Sequence, residues 1–244
     1  MPMNAILVRV AVDQAYGQWN APVCPDSNEF VYIPIPESGG TLFKSGLARK
    51  YTEIQPAFDT FSRKYATSLT FPSNLMNYDM HLDPDFEHLT YGDQGERRGA
   101  GIARLGKGDV LAFYAGFKPI RKCEHKLLYG LLGLFVIEEI VQADAVPESR
   151  WMENAHTRKL KRGTPDIVVR ANPRSSGRFE KCIPIGEWRE GAYRIRHDLI
   201  DTWGGLSVKN GFIQRSAVPP TFLDGQKFYD WFLHQNVKLH RRNN

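Results

Sequence analysis

The stretch that most constrains this chain is Leu127 to Ile137, LLYGLLGLFVI, an apolar run that stops at Glu138 and Glu139. A membrane-spanning helix needs about 20 apolar residues, so this run reads as a buried strand. Other apolar or β-branched runs are Val110 to Phe113, Leu131 to Ile140, Ile167 to Arg170 and Cys182 to Ile185. Each is bounded by Gly, Pro or Asn, which suggests a closed β-barrel or a strongly bent sheet.

The flanks read differently. Ala5 to Val12 is Ile-, Leu- and Val-rich with one charge, Arg9, and is expected to be a strand. Phe30 to Ile35 is a short strand closed by Pro34 and Pro36, which cannot donate to a central ladder. Residues 43 to 65 carry Phe58, Phe61 and Tyr65 at helical spacing, one face of a helix. Residues 72 to 106 are loop-rich, with two Gly-rich patches and an Asp-Pro turn. Phe222 to His240 returns to helical spacing through Phe228, Trp231 and Phe232, then ends in His240-Arg241-Arg242. The expectation is one compact α+β domain over 1–244: a bent β-barrel core at about 100–185, an N-terminal segment 1–99 packed on it, and a C-terminal hairpin and helix over 186–244.

Charge narrows the partners. Lys plus Arg outnumber Asp plus Glu by 32 to 27, a net charge of +5. That modest excess favours polyanions over polycations. Cys24, Cys123 and Cys182 are odd in number and far apart, so neither a disulfide framework nor a Cys-rich zinc site is expected. A reducing, cytoplasmic compartment fits, and the N-terminus does not read as a signal peptide.

Five constellations carry candidate chemistry. His81-Leu82-Asp83-Pro84-Asp85-Phe86-Glu87-His88 puts two His among three carboxylates. The group could bind a divalent ion or supply acid–base groups at Asp83 or Asp85; no known metal spacing is matched, and the plainer reading is a turn with solvated charges. Arg9, Asp13, Tyr16, Trp19 and Asn20 form the second: either a structural Arg9–Asp13 ion pair, or a pocket where Trp19 stacks on a base and Asn20 reads its edge. The third is Gly106 to Gly116, GKGDVLAFYAG, a turn followed by a strand containing Tyr114. The fourth is basic: Arg158, Lys159, Lys161 and Arg162, then Arg170, Arg174, Arg178 and Lys181, with Ser and Gly between them. Cationic loops of this kind suit phosphate contact, although a solvated charged face has the same composition. The fifth, Trp203 to Ser216, contains Gly204-Gly205 and Asn210-Gly211, the latter a two-residue hairpin signal. Lys209, Asn210, Gln214 and Arg215 there suit a polar pocket or a plain hairpin. P-loop, nucleophile-elbow and dinucleotide-binding motifs are absent, so hydrolase and Rossmann readings gain no support.

The order Gly108-Asp109, LAFYAG, GLFVIEEI and DIVVRANP resembles PUA-like domains of the EVE and ASCH types over about 100–185. The whole chain also resembles the nucleotide modification associated domain 3 family. Arg9 and Asp13, Trp19-Asn20-Ala21-Pro22, Ile33-Pro34-Ile35-Pro36, His81 to Asp85 and Gly108-Asp109 carry that likeness. The first resemblance implies a PUA-like barrel that binds nucleic acid. The second implies a link to systems that make or process modified DNA bases. The expected function is a nucleic-acid-binding protein, DNA favoured over RNA, that recognises a modified base in a DNA-modification or anti-phage setting and on one reading processes it. The alternatives are an enzyme acting on a free nucleotide or nucleotide-sugar, and a non-catalytic reader. Candidate catalytic carboxylates are Asp83, Asp85 and Asp13. The expected base pocket is Arg9, Tyr16, Trp19, Asn20, His81 and Tyr114. The expected phosphate contacts are Arg158, Lys159, Lys161, Arg162, Arg174 and Arg178. No cofactor, metal or membrane partner is expected.

Overall fold

A computed structural model describes residues 2–124, 126–160, 165–214 and 218–244, without the side chains of Arg97 and Arg98. Lys161, Arg162 and Arg215 therefore lie outside the described residues. The N-terminal half contains β1 (Ala5–Arg9), β2 (Pro22–Val23), β3 (Ile35–Pro36), α1 (Gln55–Lys64), β4 (Met80–His81), β5 (Thr90–Asp93) and β6 (Val110–Pro119). β7 (Leu128–Gln142), α2 (Ala155–Arg158), β8 (Ile167–Ala171) and β9 (Gly177–Pro184) follow. The chain continues with β10 (Gly186–Arg189), β11 (Ala192–Ile195), α3 (His197–Thr202), α4 (Gly225–His234) and β12 (Leu239–His240).

The long apolar run is the centre of the fold. β7 pairs antiparallel with β6 along one edge, and β8 and β9 share the other edge end to end. β1 adds to β6 in parallel, β5 to β8 and β12 to β9. The result is an open eight-stranded sheet, and no closed barrel forms among the described residues. The physical reason is the split at β7: β8 leads outward to β5, and β9 leads outward to β12. The free edge of β1 is covered instead, with Leu7 N–H donating to the Pro220 carbonyl. That covering removes an exposed edge that would invite pairing with another chain.

Alternation along the strands feeds two cores. Ile6 and Val8 of β1, Leu111, Phe113 and Phe117 of β6, and Leu132 and Phe135 of β7 face the N-terminal segment. Ala5, Leu7, Val110, Ala112, Tyr114, Tyr129, Leu131 and Leu134 face the C-terminal segment, where Trp203, Phe228 and Phe232 pack. A sheet covered on both faces explains why its strands read as unbroken apolar runs rather than alternating ones.

Local expectations fare unevenly. The helix predicted over 43–65 is confined to α1, preceded by one 3-10 turn. Residues 42–44 are extended because their backbone pairs with 158–160, Leu160 N–H donating to the Leu42 carbonyl and Lys44 N–H to that of Arg158. The C-terminal helix is shorter than expected, capped by Asp224 at its start. The hairpin expected at Asn210-Gly211 forms elsewhere: Glu190 and Gly191, at φ 52° and 73°, turn β10 into β11. Asn210-Gly211 has the same left-handed backbone but sits in a single 3-10 turn.

Gly133 in β7 lets the Phe86 ring lie against the strand; a Cβ there would be 2.5 Å from the ring. Phe86 in turn meets Tyr32, Phe113 and Phe135 edge-on. Gly133→Ala is expected to destabilise the fold by about 1–3 kcal/mol through overpacking, measured as a lower urea midpoint at unchanged slope.

Candidate metal centre

The antiparallel β3–β4 pair sets Ile35 across from His81, so Glu37, just past β3, reaches the His81 side chain. His81 Nδ1–H donates to Glu37 Oε2 at 2.9 Å. Burial pulls the His81 pKa down to about 4, so the ring is neutral and Nε2 carries a lone pair. Burial alone would raise Glu37, but its hydrogen bond from His81 and the nearby Lys159 charge hold it at about 2. Lys159 Nζ lies 3.1 Å from Glu37 Oε1.

A second histidine mirrors the first. His156 on α2 bonds through Nδ1 to Asp166 Oδ2 at 2.7 Å. Asp166 stands just before β8, and its backbone carbonyl accepts from Ala143 N–H. The two imidazole rings cross nearly edge-to-face, 5.2 Å between centroids.

Asp83 completes the group. Its Oδ2 is 3.8 Å from His81 Nε2 and 3.9 Å from His156 Nε2. These separations are too long for hydrogen bonds. They match two donors about 2.1 Å from one shared ion, which stand no more than about 4.2 Å apart. The three donor atoms all fall within 4.8 Å of one another. Asp83 is oriented from behind: Gly92 N–H donates to both carboxylate oxygens, at 2.9 and 3.0 Å, and Asn154 Nδ2 donates to Oδ1 at 3.0 Å. Burial pushes the Asp83 pKa up to about 7 despite the neighbouring His156 and these donors. A carboxylate disfavoured by burial gains when a cation is set against it.

Asn154 ties the parts together. It is the N-cap of α2, its Oδ1 accepting from His156 N–H, while its Nδ2 holds Asp83. Gly92 is required by close approach, because a Cβ there would stand 2.3 Å from His156 Cδ2 and 2.5 Å from Asn154 Oδ1. A histidine whose outer nitrogen is held by a carboxylate is the usual support of a metal ligand.

The model of the nucleotide modification associated domain 3 family matches residues 4–207. The chain belongs to that family. Every residue of the cluster falls inside the span matched to nucleotide modification associated domain 3, whereas α4 and β12 lie beyond it. No curated protein and no solved structure matches the chain.

The other sequence candidates are dispersed. Asp85 is not a free carboxylate: it accepts from Arg158 Nη2 at 2.6 Å, from His88 and from Asn243. Its pKa falls to about 2 because the His88 hydrogen bond and the Arg158 charge outweigh burial. Asp13 forms the structural ion pair with Arg9 at 2.8 Å, and its other oxygen accepts from Ala15 and Tyr16 N–H. Tyr114 is buried in the C-terminal core with its hydroxyl on the Ile213 carbonyl, and Tyr16 is exposed. Trp19 and Asn20 line a different pocket, which Asp83 does not reach.

Two of the expected phosphate contacts are buried. Arg158 is 2% exposed and Arg178 is 6% exposed. Arg158 donates to Asp85 and the Met152 carbonyl, and Arg178 to the Phe179 and Arg242 carbonyls. Lys159 supports Glu37, and Arg174 is exposed. No short-range signal in the sequence marks His156 or Asp166 as partners of His81, because His156 reads as the start of a basic segment. Gly92→Ala is expected to weaken divalent-metal binding by about 10–100-fold by displacing the His156 ring, measured by calorimetric titration with Zn2+ or Mn2+.

Proposed function

We propose that the protein is a metal-dependent enzyme of nucleotide modification whose centre is His81, Asp83 and His156. The observation that carries this reading is the convergence of two carboxylate-backed imidazole Nε2 atoms on one carboxylate oxygen at 3.8 and 3.9 Å. Two imidazoles and a carboxylate suit Zn2+, Fe2+ or Mn2+ and leave positions for water and substrate. A divalent ion held there would supply Lewis-acid activation of water or of a substrate oxygen. Membership of the family supports a nucleotide as the substrate.

Two forms of substrate fit this reading, a free nucleotide and a modified base within DNA. Internal use of Arg158, Lys159 and Arg178 favours a compact substrate over a long backbone track. A non-catalytic reader would bind its ligand without forming product and would be indifferent to chelation.

The test is metal content and titration. Purified protein is expected to hold close to one divalent ion per chain, and chelation is expected to lower the melting temperature by ligand linkage. His81→Ala and His156→Ala are each expected to reduce metal affinity by at least about 100-fold, a loss in keeping with removing one of three protein ligands. Stoichiometric binding that survives both substitutions would overturn the assignment. Product formation from nucleotides and DNA, followed by mass spectrometry with and without added metal, separates enzyme from reader.

A further inference from the structure

Away from the metal centre, the β6–β7 hairpin end of the sheet carries a pocket of about 800 Å³. That volume lies in the range of small-molecule sites. Its walls come from both layers that cover the sheet. Trp188 and Tyr193 stand opposite one another on the β10–β11 hairpin, their rings 5.0 Å apart and edge-on. Tyr193 is fixed by stacking on Tyr129 at 4.6 Å and by accepting from Leu127 N–H at 2.8 Å. Trp19 enters from the other layer, with one side of its ring braced by Phe58 and Phe71. Asn20 is buried and anchored, donating to the Gly116 carbonyl at 2.7 Å and accepting from Gln14.

Two features say what such a pocket takes. Trp188 is 52% exposed although nearby aromatic rings are available to bury it. An exposed aromatic ring that lines a cavity offers a planar ligand a face to stack on. At the same mouth stand Lys118 and Lys126, both exposed and neither in an ion pair among the described residues, against one carboxylate, Glu124. Aromatic faces beside flexible ammonium groups match a planar heterocycle that carries an anion. Gln14, at the edge of the cavity, adds a side-chain amide able both to donate and to accept.

We propose that this pocket binds a nucleobase with its attached phosphate, at a site separate from the metal centre. The two sites share no lining residue: the metal ligands come from β4, the residues after it and α2, whereas the pocket is built from the 14–20 loop, the end of β6, Glu124, Lys126, Leu127 and the β10–β11 hairpin. The inference goes beyond the metal-centre reading and does not rest on it. A free nucleotide and a nucleotide within a DNA strand present the same chemistry here.

The test is calorimetric titration of the intact chain with deoxyadenosine 5′-monophosphate, deoxyadenosine, inorganic phosphate and a short single-stranded deoxyoligonucleotide. The monophosphate or the oligonucleotide is expected to bind, and more tightly than deoxyadenosine or phosphate alone. Tighter binding of the monophosphate assigns the pocket to free nucleotides; tighter binding of the oligonucleotide assigns it to a strand. Trp188→Ala, on an exposed hairpin, is expected to weaken binding by about tenfold or more through lost stacking. Lys126→Ala is expected to weaken the phosphorylated ligands and leave deoxyadenosine unchanged. His156→Ala, with its fold checked by circular dichroism, is expected to bind as wild type does. Absence of saturable binding, or an unchanged affinity in Trp188→Ala, would sink the proposal. Loss of binding in folded His156→Ala would also sink it by placing the nucleotide at the metal centre, while leaving the metal-centre reading intact.

Discussion

From Tyr129 to Ile137, β7 has almost no water on either face. Its side chains alternate between two cores, and β6, β8 and β9 occupy its edges. A strand in that position obliges the rest of the chain to cover it, because each buried Leu or Phe side chain is worth about 1.5–3 kcal/mol relative to exposure. The loop-rich N-terminal segment covers one face and the C-terminal hairpin and helices cover the other. Both candidate sites follow from that covering. The His81–Asp83–His156 cluster assembles where the N-terminal layer meets β5, α2 and the start of β8. The aromatic pocket forms where the two layers meet at the opposite end of β7.

The pair Asp83 and Asp85 shows how local environment sets chemistry. The two stand in one loop and are both buried, yet their pKa values move in opposite directions, up to about 7 and down to about 2. Asp85 has a guanidinium and an imidazole against it, and serves to lock the loop to Arg158. Asp83 has backbone and amide donors behind it and the Nε2 atoms of His81 and His156 in front. The difference is one of partners, since residue type and near-neighbour sequence are almost shared. Burial without a full counter-charge leaves Asp83 the better cation ligand.

The basic segment after His156 teaches the converse. Clustered Arg and Lys look like a polyanion surface when written in a line. In the fold, Arg158 and Lys159 neutralise buried carboxylates, and Arg178 lies over the Phe30 ring while bonding backbone carbonyls. Buried acids require buried or half-buried bases nearby, so a chain that carries Glu37, Asp85 and Glu153 inside must spend part of its positive charge there. Arg170, which pairs with Glu153 and Glu139, is a further instance.

The sequence by itself determined the central strands β1, β6, β7 and β8, part of β9, the loop-rich covering segment, the aromatic face of α1 and the family, and it set His81 beside Asp83 and Trp19 beside Asn20. Those are local properties: run length, side-chain period and short motifs. Arg9–Asp13 was legible because four residues separate the partners. The cluster was half legible, since His81 and Asp83 share one motif. Only the tertiary structure decided the rest. Asn154 reaches Asp83 across 71 positions of sequence, and Trp188 shares a pocket with Trp19 only because two covering layers converge. The open sheet in place of a barrel was likewise decided by how the edge of β7 is divided. Long-range pairing depends on which surfaces the whole chain must bury, and no window of sequence contains that information.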